Sequence, residues 1–396
     1  MKRLWTGLFL IVLTSSCAGK IWLESTKPDS KAINSILSKE NGESSNLNLK
    51  LNHSDKVEFT QNFRPCCAFG TNFTVALLSI PIPFFKETNT VNYDSLGTHI
   101  YNMEKFSAEE MASIGKRTPE VNGLIYTRRG GLIDTAHIRD TADVTLTLFY
   151  KIYPRLGTNF EIELPREIGK RSILFNAFDT SKMEGKDRIF LSSALAAKLA
   201  YEMAVSHEFA QWHGYRNVSI FPEEQSAYSP EDLYSNILGA KLASALINEQ
   251  LIFSSIQYNL NMTSWLEQTL KELGPVDKEE TQRLLMTTNK IWWDQDIRLP
   301  DKFMLRKRDY SLSLRLSPLE IPTSPLKDPA TLEIKEFFRN YNLDKIAILK
   351  LEIDPSFEDK FNHVPKHIWN KKLTIKDLRK IAQYDKEFDD NYLKNN

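Results

Sequence analysis

The stretch Arg128–Asp143, RRGGLIDTAHIRDTAD, constrains the fold more than any other part of the chain. After the Gly130-Gly131 break, a period of 3.6 residues puts Asp134, His137, Asp140 and Thr141 on or beside one helix face. A solvated face usually carries Lys and Glu, whose long stems lose little freedom in a helix. Short acids, threonines and a histidine among alanines fit where a partner element or a ligand comes close. The same helix is expected to run to about Tyr150, and its second half, VTLTLFYKI, is apolar all round and therefore buried. A plainer account of the polar face stands beside this one. Asp134 would be an N-cap, Arg139 and Asp143 a surface pair, and His137 a satisfied buried histidine.

The first residues read as an address. Met1-Lys2-Arg3 is basic, Leu4–Leu13 is a short apolar run, Thr14-Ser15-Ser16 are small, and Cys17 follows. The run is too short to span a bilayer and has the layout of a secretory signal. Small residues directly before a cysteine resemble the lipobox of bacterial lipoproteins, although Leu13 sits one place earlier than the usual leucine. That resemblance implies cleavage after Ser16 and diacylation of Cys17, and Ala18 favours the outer membrane. A plain cleavable signal with an incidental cysteine is the alternative. Residues 17–56 are rich in Ser, Asn, Lys and Asp and read as a flexible tether. No second long apolar run is evident, so the remainder is expected to be soluble and tethered.

The chain carries 51 basic and 51 acidic residues. Cleavage would remove Lys2 and Arg3 and leave a slight negative excess, too little basic charge for a nucleic-acid partner. With Cys17 lipidated, Cys66 and Cys67 are the remaining thiols. Adjacent cysteines can close only a strained ring, so this is not a disulfide scaffold.

The expected fold class is α+β and helix-dominated, with a helical core and a small antiparallel sheet. A main domain would cover residues 57–300, and residues 301–396, with short strands and a charged helix, would form either a small appended unit or an extension of the same core. Asn72–Phe85 is apolar but broken by Pro81 and Pro83, which suits an edge strand. Ser107–Ile114 has a capping box in Ser107 and Glu110. Asn159–Leu164 and Arg171–Asn176 read as strands, with Ile189–Leu191 as a possible third. Leu195–Trp212 is the clearest helix, with Gly214 as its terminator. Ser229 and Pro230 would open another helix, as N-cap and N1, that runs to about Ile252. Helices are expected near Thr263–Leu273, Lys278–Trp292 and Leu373–Phe388, and strands at Tyr310–Leu316 and Ile346–Ile353.

Two further motifs carry chemistry. In His207-Glu208-Phe209-Ala210-Gln211-Trp212-His213 the His-Glu pair is similar to the zinc peptidase motif. The place of the second ligand is Gln211, however, and His213 lies about 240° further round the helix. In Ser229-Pro230-Glu231-Asp232, acids occupy a first helical turn, as the helix dipole favours. Asp232, Asn236, Gly239, Ala240 and Ala243 then form a polar-to-small stripe that admits another helix closely.

Three helices thus present short acids or histidines near one end. Such a supply suits a divalent metal centre. His137 and His207 would ligate Zn²⁺ or a similar ion with Asp134, Asp140 or Glu231. Glu208, with Asp140, would supply the catalytic carboxylates, Glu208 as general base toward water. Arg139, Asp232 and Asn236 would contact substrate. A rival reading makes Cys66 or Cys67 a nucleophile with His137 as its base. A third takes the domain as a non-catalytic envelope scaffold with a buried polar network.

The motifs RPCCAFG at 64–70, GGLIDTAHIRDTAD at 130–143, HEFAQWHG at 207–214 and SPEDLYSN at 229–236 together resemble a family of bacterial lipoproteins catalogued only as a domain of unknown function. The resemblance covers roughly residues 60–300. It implies one domain there, bacterial origin and envelope placement, and it brings no activity.

Overall fold

The computed structural model describes residues 25–39, 63–64, 69–71, 75–77, 80–82, 89–101, 120–217, 223–252 and 254–395. Cys17, the Cys66-Cys67 pair and the expected helix at 107–114 lie outside these residues. The fold is α+β and helix-dominated, with small antiparallel sheets.

The chain order is helix α1 (Ser30–Ile36), hairpin β1–β2 (Val75–Leu77, Ile80–Ile82), hairpin β3–β4 (Leu124–Thr127, Gly131–Asp134) and helix α2 (Thr135–Ile152). Strands β5 (Phe160–Leu164) and β6 (Gly169–Phe175) lead to the long helix α3 (Gly185–Trp212). Helices α4 (Asp232–Asn248), α5 (Ser255–Leu273) and α6 (Lys278–Thr287) follow. The last part carries short pairs β7–β8 (Arg315–Leu316, Leu332–Glu333) and β9–β10 (Phe337–Phe338, Tyr341–Asn342). It ends with α7 (Leu343–Ile346), β11 (Ala347–Ile353), α8 (Lys366–Trp369) and α9 (Ile375–Asn395).

Helix α3 is the axis of the core. From Ile189 to Trp212 every residue is buried, so it has no solvent face. It is long and apolar enough to cross a membrane by length and composition, which corrects the reading that no second such run exists. Here it is a core helix, with 94% of its apolar window inside the fold. Ile189–Leu191 belongs to its first turns and is not a strand. The strand propensity of Ile189 and Phe190 is overridden by a helix already running from Gly185. The helix stops where Gly214 takes a φ of +90°, a region that glycine enters without a Cβ penalty.

Helices α2 and α4 pack on α3 and on each other. Their approach is set by Gly239 in the small-residue stripe. A Cβ there would lie 2.1 Å from the carbonyl oxygen of Ile138. Helix α4 starts later than the Ser-Pro pair suggests, at Asp232. The Ser229 hydroxyl donates to Glu231 Oε2 at 2.8 Å and so does not cap the helix.

The Gly130-Gly131 break is a hairpin turn and not a helix start. Gly131 opens β4, which pairs antiparallel with β3 from Gly131↔Thr127 to Asp134↔Leu124. The helix begins one residue after Asp134, which caps it by accepting from Ala136 N at 2.7 Å.

At the chain ends one expectation changes and one of two alternatives is selected. The tether at 17–56 contains α1, whose Ile33 and Ile36 are buried in the main core. Thr26 N donates to Asn261 Oδ1 at 2.8 Å, and Trp265 Nε1 donates to Thr26 O at 2.7 Å. Apolar residues spaced three apart in a polar stretch give that segment a face to bury. At the other end, β11 pairs along the whole of β6 in the sheet β11-β6-β5, and α9 packs on α3. The tail after residue 300 therefore completes the core sheet. The strand expected at Tyr310–Leu316 shrinks to Arg315–Leu316.

Candidate metal centre

The hairpin end, the start of α2 and the start of α4 meet. There the oxygen of Asp134, the ring nitrogen of His137 and the oxygen of Asp232 lie within 4.8 Å of one another, and all three residues are buried. Asp134 splits its carboxylate between two tasks. Oδ1 caps α2, while Oδ2 has no hydrogen-bond donor among the described residues. The backbone N–H of Asp134 donates to Ser235 Oγ at 2.9 Å, which ties the hairpin end to α4.

His137 is held by its far nitrogen. Nδ1 faces Asn236 Oδ1 at 3.3 Å, and that oxygen also accepts from Thr141 Oγ1 at 2.5 Å. An oxygen acceptor requires the N–H on Nδ1, which in the neutral ring places the lone pair on Nε2. That lone pair lies 3.4 Å from Asp232 Oδ1. Zinc bonds of about 2.0–2.2 Å in a tetrahedron set neighbouring ligand atoms about 3.4 Å apart. The His137–Asp232 separation matches that spacing.

Two more carboxyl groups surround this set. Glu208 Oε2 accepts from Tyr228 N at 2.9 Å, and Glu208 Oε1 has no donor among the described residues. Glu231 Oε1 is likewise without one. Burial raises the Glu208 pKa against the attraction of His137 and His207. Burial also pushes Glu231 up to about 8, and the negative charges of Asp134 and Glu208 add to the shift. Carboxylates crowded in a low dielectric with free lone pairs are what a divalent cation compensates. The donor set fits such an ion.

The structure assigns other neighbours to several expected site residues. Asp140 is not in the set. It accepts from Arg64 N at 2.7 Å and pairs with the Arg64 guanidinium at 2.6 Å. Arg139 is not a substrate contact. Its guanidinium donates to Leu96 O, Val121 O and Asn122 Oδ1 at 2.9–3.1 Å, and it is buried. His207 does not join His137. Its Nδ1 lies 2.9 Å from Glu167 Oε1, and Glu167 in turn pairs with Arg171 at 2.7 Å. The reason is angular: Glu208 and His207 are one residue apart on α3, about 100° of rotation, and Glu208 takes the inward direction. Asp232 and Asn236, expected at the substrate, are a candidate ligand and the group that orients His137. Glu231 sits beside the three converging atoms with its Oε2 on Ser229.

A second buried network was not legible in the sequence. His99 Nε2 lies 2.8 Å from Asp143 Oδ1, and His99 Nδ1 lies 3.2 Å from Glu120 Oε2. Tyr258 OH also donates to Asp143, at 2.9 Å. Burial lowers the His99 pKa, but Asp143 and Glu120 outweigh it and the net shift is upward. A raised folded-state pKa stabilises the fold fully below the ordinary histidine value of about 6.5. That contribution is lost as pH rises through the raised value. The gap in melting temperature between the parent and His99→Gln should therefore be wide near pH 5 and narrow toward about pH 9. A gap that is constant or widens with pH would show that His99 is not held as a cation.

The fold and these groups define a helix-dominated α+β domain with a buried carboxylate–histidine centre. The chain belongs to the family described as "Protein of unknown function (DUF4056)", whose model matches residues 54–322. The match spans Asp134, His137, Glu208, Glu231 and Asp232 and ends before α9. No curated protein and no solved structure matches the chain.

Proposed function

We propose that the protein is a metal-dependent hydrolase, attached to the bacterial envelope through a lipid on Cys17 and most consistent with the outer membrane. The observation that supports the chemistry is the convergence of Asp134, His137 and Asp232 within 4.8 Å at the junction of β4, α2 and α4. Two carboxylates and one imidazole suit Zn²⁺, with Mn²⁺ as its competitor. A bound ion would supply Lewis-acid polarisation and make water acidic near neutral pH.

The chain's own groups do the rest. Asn236 fixes the His137 tautomer and ring angle, as outer partners of metal ligands do. Tyr228 N–H holds one oxygen of Glu208 and leaves the other to accept a proton from the attacking water. A cleft of about 240 Å³ is lined by Pro230 and Tyr234, which flank Glu231 and Asp232, and by Arg308. It offers a substrate a way toward the start of α4.

Metal content measured by mass spectrometry after Zn²⁺ loading tests the centre. His137→Ala should hold less Zn²⁺ than the parent. Glu208→Gln should keep its ion while hydrolysis of an ester, amide and phosphoester panel falls by about 10²–10⁴-fold. Equal Zn²⁺ in the parent and His137→Ala, or none in either, would end the metal reading. Palmitate labelling that persists in Cys17→Ala would end the anchor.

One observation favours a second reading. All three candidate ligands are buried, His137 at 3% exposure and Asp134 and Asp232 at 0%. A non-catalytic envelope lipoprotein with a structural ion has no need of solvent access. On that reading Glu208→Gln changes the melting temperature and removes no turnover.

A further inference from the structure

At its C-terminal end α3 meets the tail of the chain. His213 is the residue that caps α3, His363 follows the turn after Phe361, and Asp385 lies on α9. One ligand atom from each falls within 4.8 Å of the other two. His213 and Asp385 are buried, and His363 is partly so, with 14% of its side chain exposed.

The hydrogen bonds decide which atoms are available. His213 Nδ1 faces the carbonyl oxygen of Phe209 at 2.8 Å. Only an N–H can donate to a carbonyl, so the Nε2 of the neutral ring carries its lone pair. That Nε2 has no hydrogen-bond partner among the described residues and points toward Asp385 Oδ1 at 3.4 Å. A lone pair facing a carboxylate oxygen at that distance is an arrangement that a cation can bridge. His363 Nε2 donates a hydrogen bond to the same oxygen at 2.7 Å, and an ion bound there would take the place of that proton. Lys302, a cation on this side, is paired with Asp389 Oδ1 at 3.0 Å and stands over the Trp212 ring.

The surroundings hold the ligands in place. The His213 ring stacks on Phe361 at 4.1 Å and 13°. Tyr228 OH donates to the other Asp385 oxygen at 3.2 Å. Trp212 packs against both imidazoles, at 4.9 and 5.0 Å between ring centroids.

We propose that His213, His363 and Asp385 form a second divalent-metal site, of zinc type, that clamps α9 and the loop before α8 onto the end of α3. Its donor set is two imidazoles and one carboxylate, with the exposed side of His363 open for a water as fourth ligand. The site shares no ligand with the first centre. His363 and Asp385 lie beyond the span that the family model matches, so the clamp belongs to this chain's tail. Tyr228 touches both sites, through its N–H to Glu208 and its hydroxyl to Asp385.

Stoichiometry of the purified full chain after loading with Zn²⁺ and desalting tests the clamp. His363→Ala should hold one Zn²⁺ per chain less than the parent, and chelation should lower its melting temperature less than the parent's. His363→Cys, a substitute ligand, should keep the ion. Combining His363→Ala with His137→Ala should remove both ions. Loading with Co²⁺ adds a spectroscopic readout, since a tetrahedral site gives visible absorption that His363→Ala should lose. Equal Zn²⁺ in the parent and His363→Ala would overturn the proposal and leave a hydrogen-bonded His–Asp–His cluster. If His363→Ala loses an ion while His137→Ala does not, the clamp stands and the catalytic reading falls.

Discussion

Alanine at Gly239 should cost about 3 kcal/mol of folding stability, at the upper end for overpacking a core. The added methyl would lie 2.1 Å from Ile138 O and 2.8 Å from the Ile138 carbonyl carbon. Both contacts are backbone, so no side chain can rotate away. Helices α2 and α4 would have to separate. Ile138 adjoins His137, and Asp232 is in the first turn of α4, so separation also spreads the candidate ligands. Denaturant unfolding of Gly239→Ala should show the lower midpoint, and Zn²⁺ titration should show weaker binding. A variant with the parent's midpoint would mean that the helices do not approach as described.

The second large effect is at Arg139. Its guanidinium satisfies Leu96 O and Val121 O and lies 3.7 Å from Glu120. Glu120 in turn pairs with Arg64 and His99. Removing one partner from a buried charged cluster costs about 3–5 kcal/mol, because the partners left behind lose compensation. Arg139→Ala should reach that range in denaturant unfolding. Arg139→Met combined with Glu120→Gln should cost less than the sum of the two single changes, since both act on one cluster. A loss below about 1 kcal/mol for Arg139→Ala would place the side chain at the surface, as a simple pair with Asp143 would be.

Much of the secondary structure was legible because its signals are local. The apolar run of α3, the Gly214 stop and the alternation of Phe160–Leu164 and Ala347–Ile353 each need only neighbouring residues. Asp134 as an N-cap was legible for the same reason. The misread starts also have a local cause. Gly130-Gly131 serves a hairpin turn as well as a helix entry. Ser229-Pro230 fits an N-cap, yet the Ser229 hydroxyl found the Glu231 carboxylate instead.

The candidate site was half legible. Asp134, His137, Glu208 and Asp232 stood out as short polar groups in apolar helices, and the Gly239 stripe pointed to close packing. Their division of labour was not legible. A sequence shows that His207 and Glu208 are adjacent, but not which of them turns toward α2. It shows Asp140 one turn from His137, but not that Arg64 claims it from 76 residues away. His363 gave no signal at all, because its partners lie 150 residues upstream and on α9.

The amino-acid sequence alone determined the class of the fold, because hydrophobic periodicity acts over a few residues and decides which faces must be buried. It also supplied the motifs on which the family membership rests. Only the tertiary structure decided that the tail after residue 300 completes the core sheet, and which acids and histidines meet. Those outcomes depend on where helices cross and which way each side chain points. Both are set by packing between segments far apart in the chain, for which no local pattern exists.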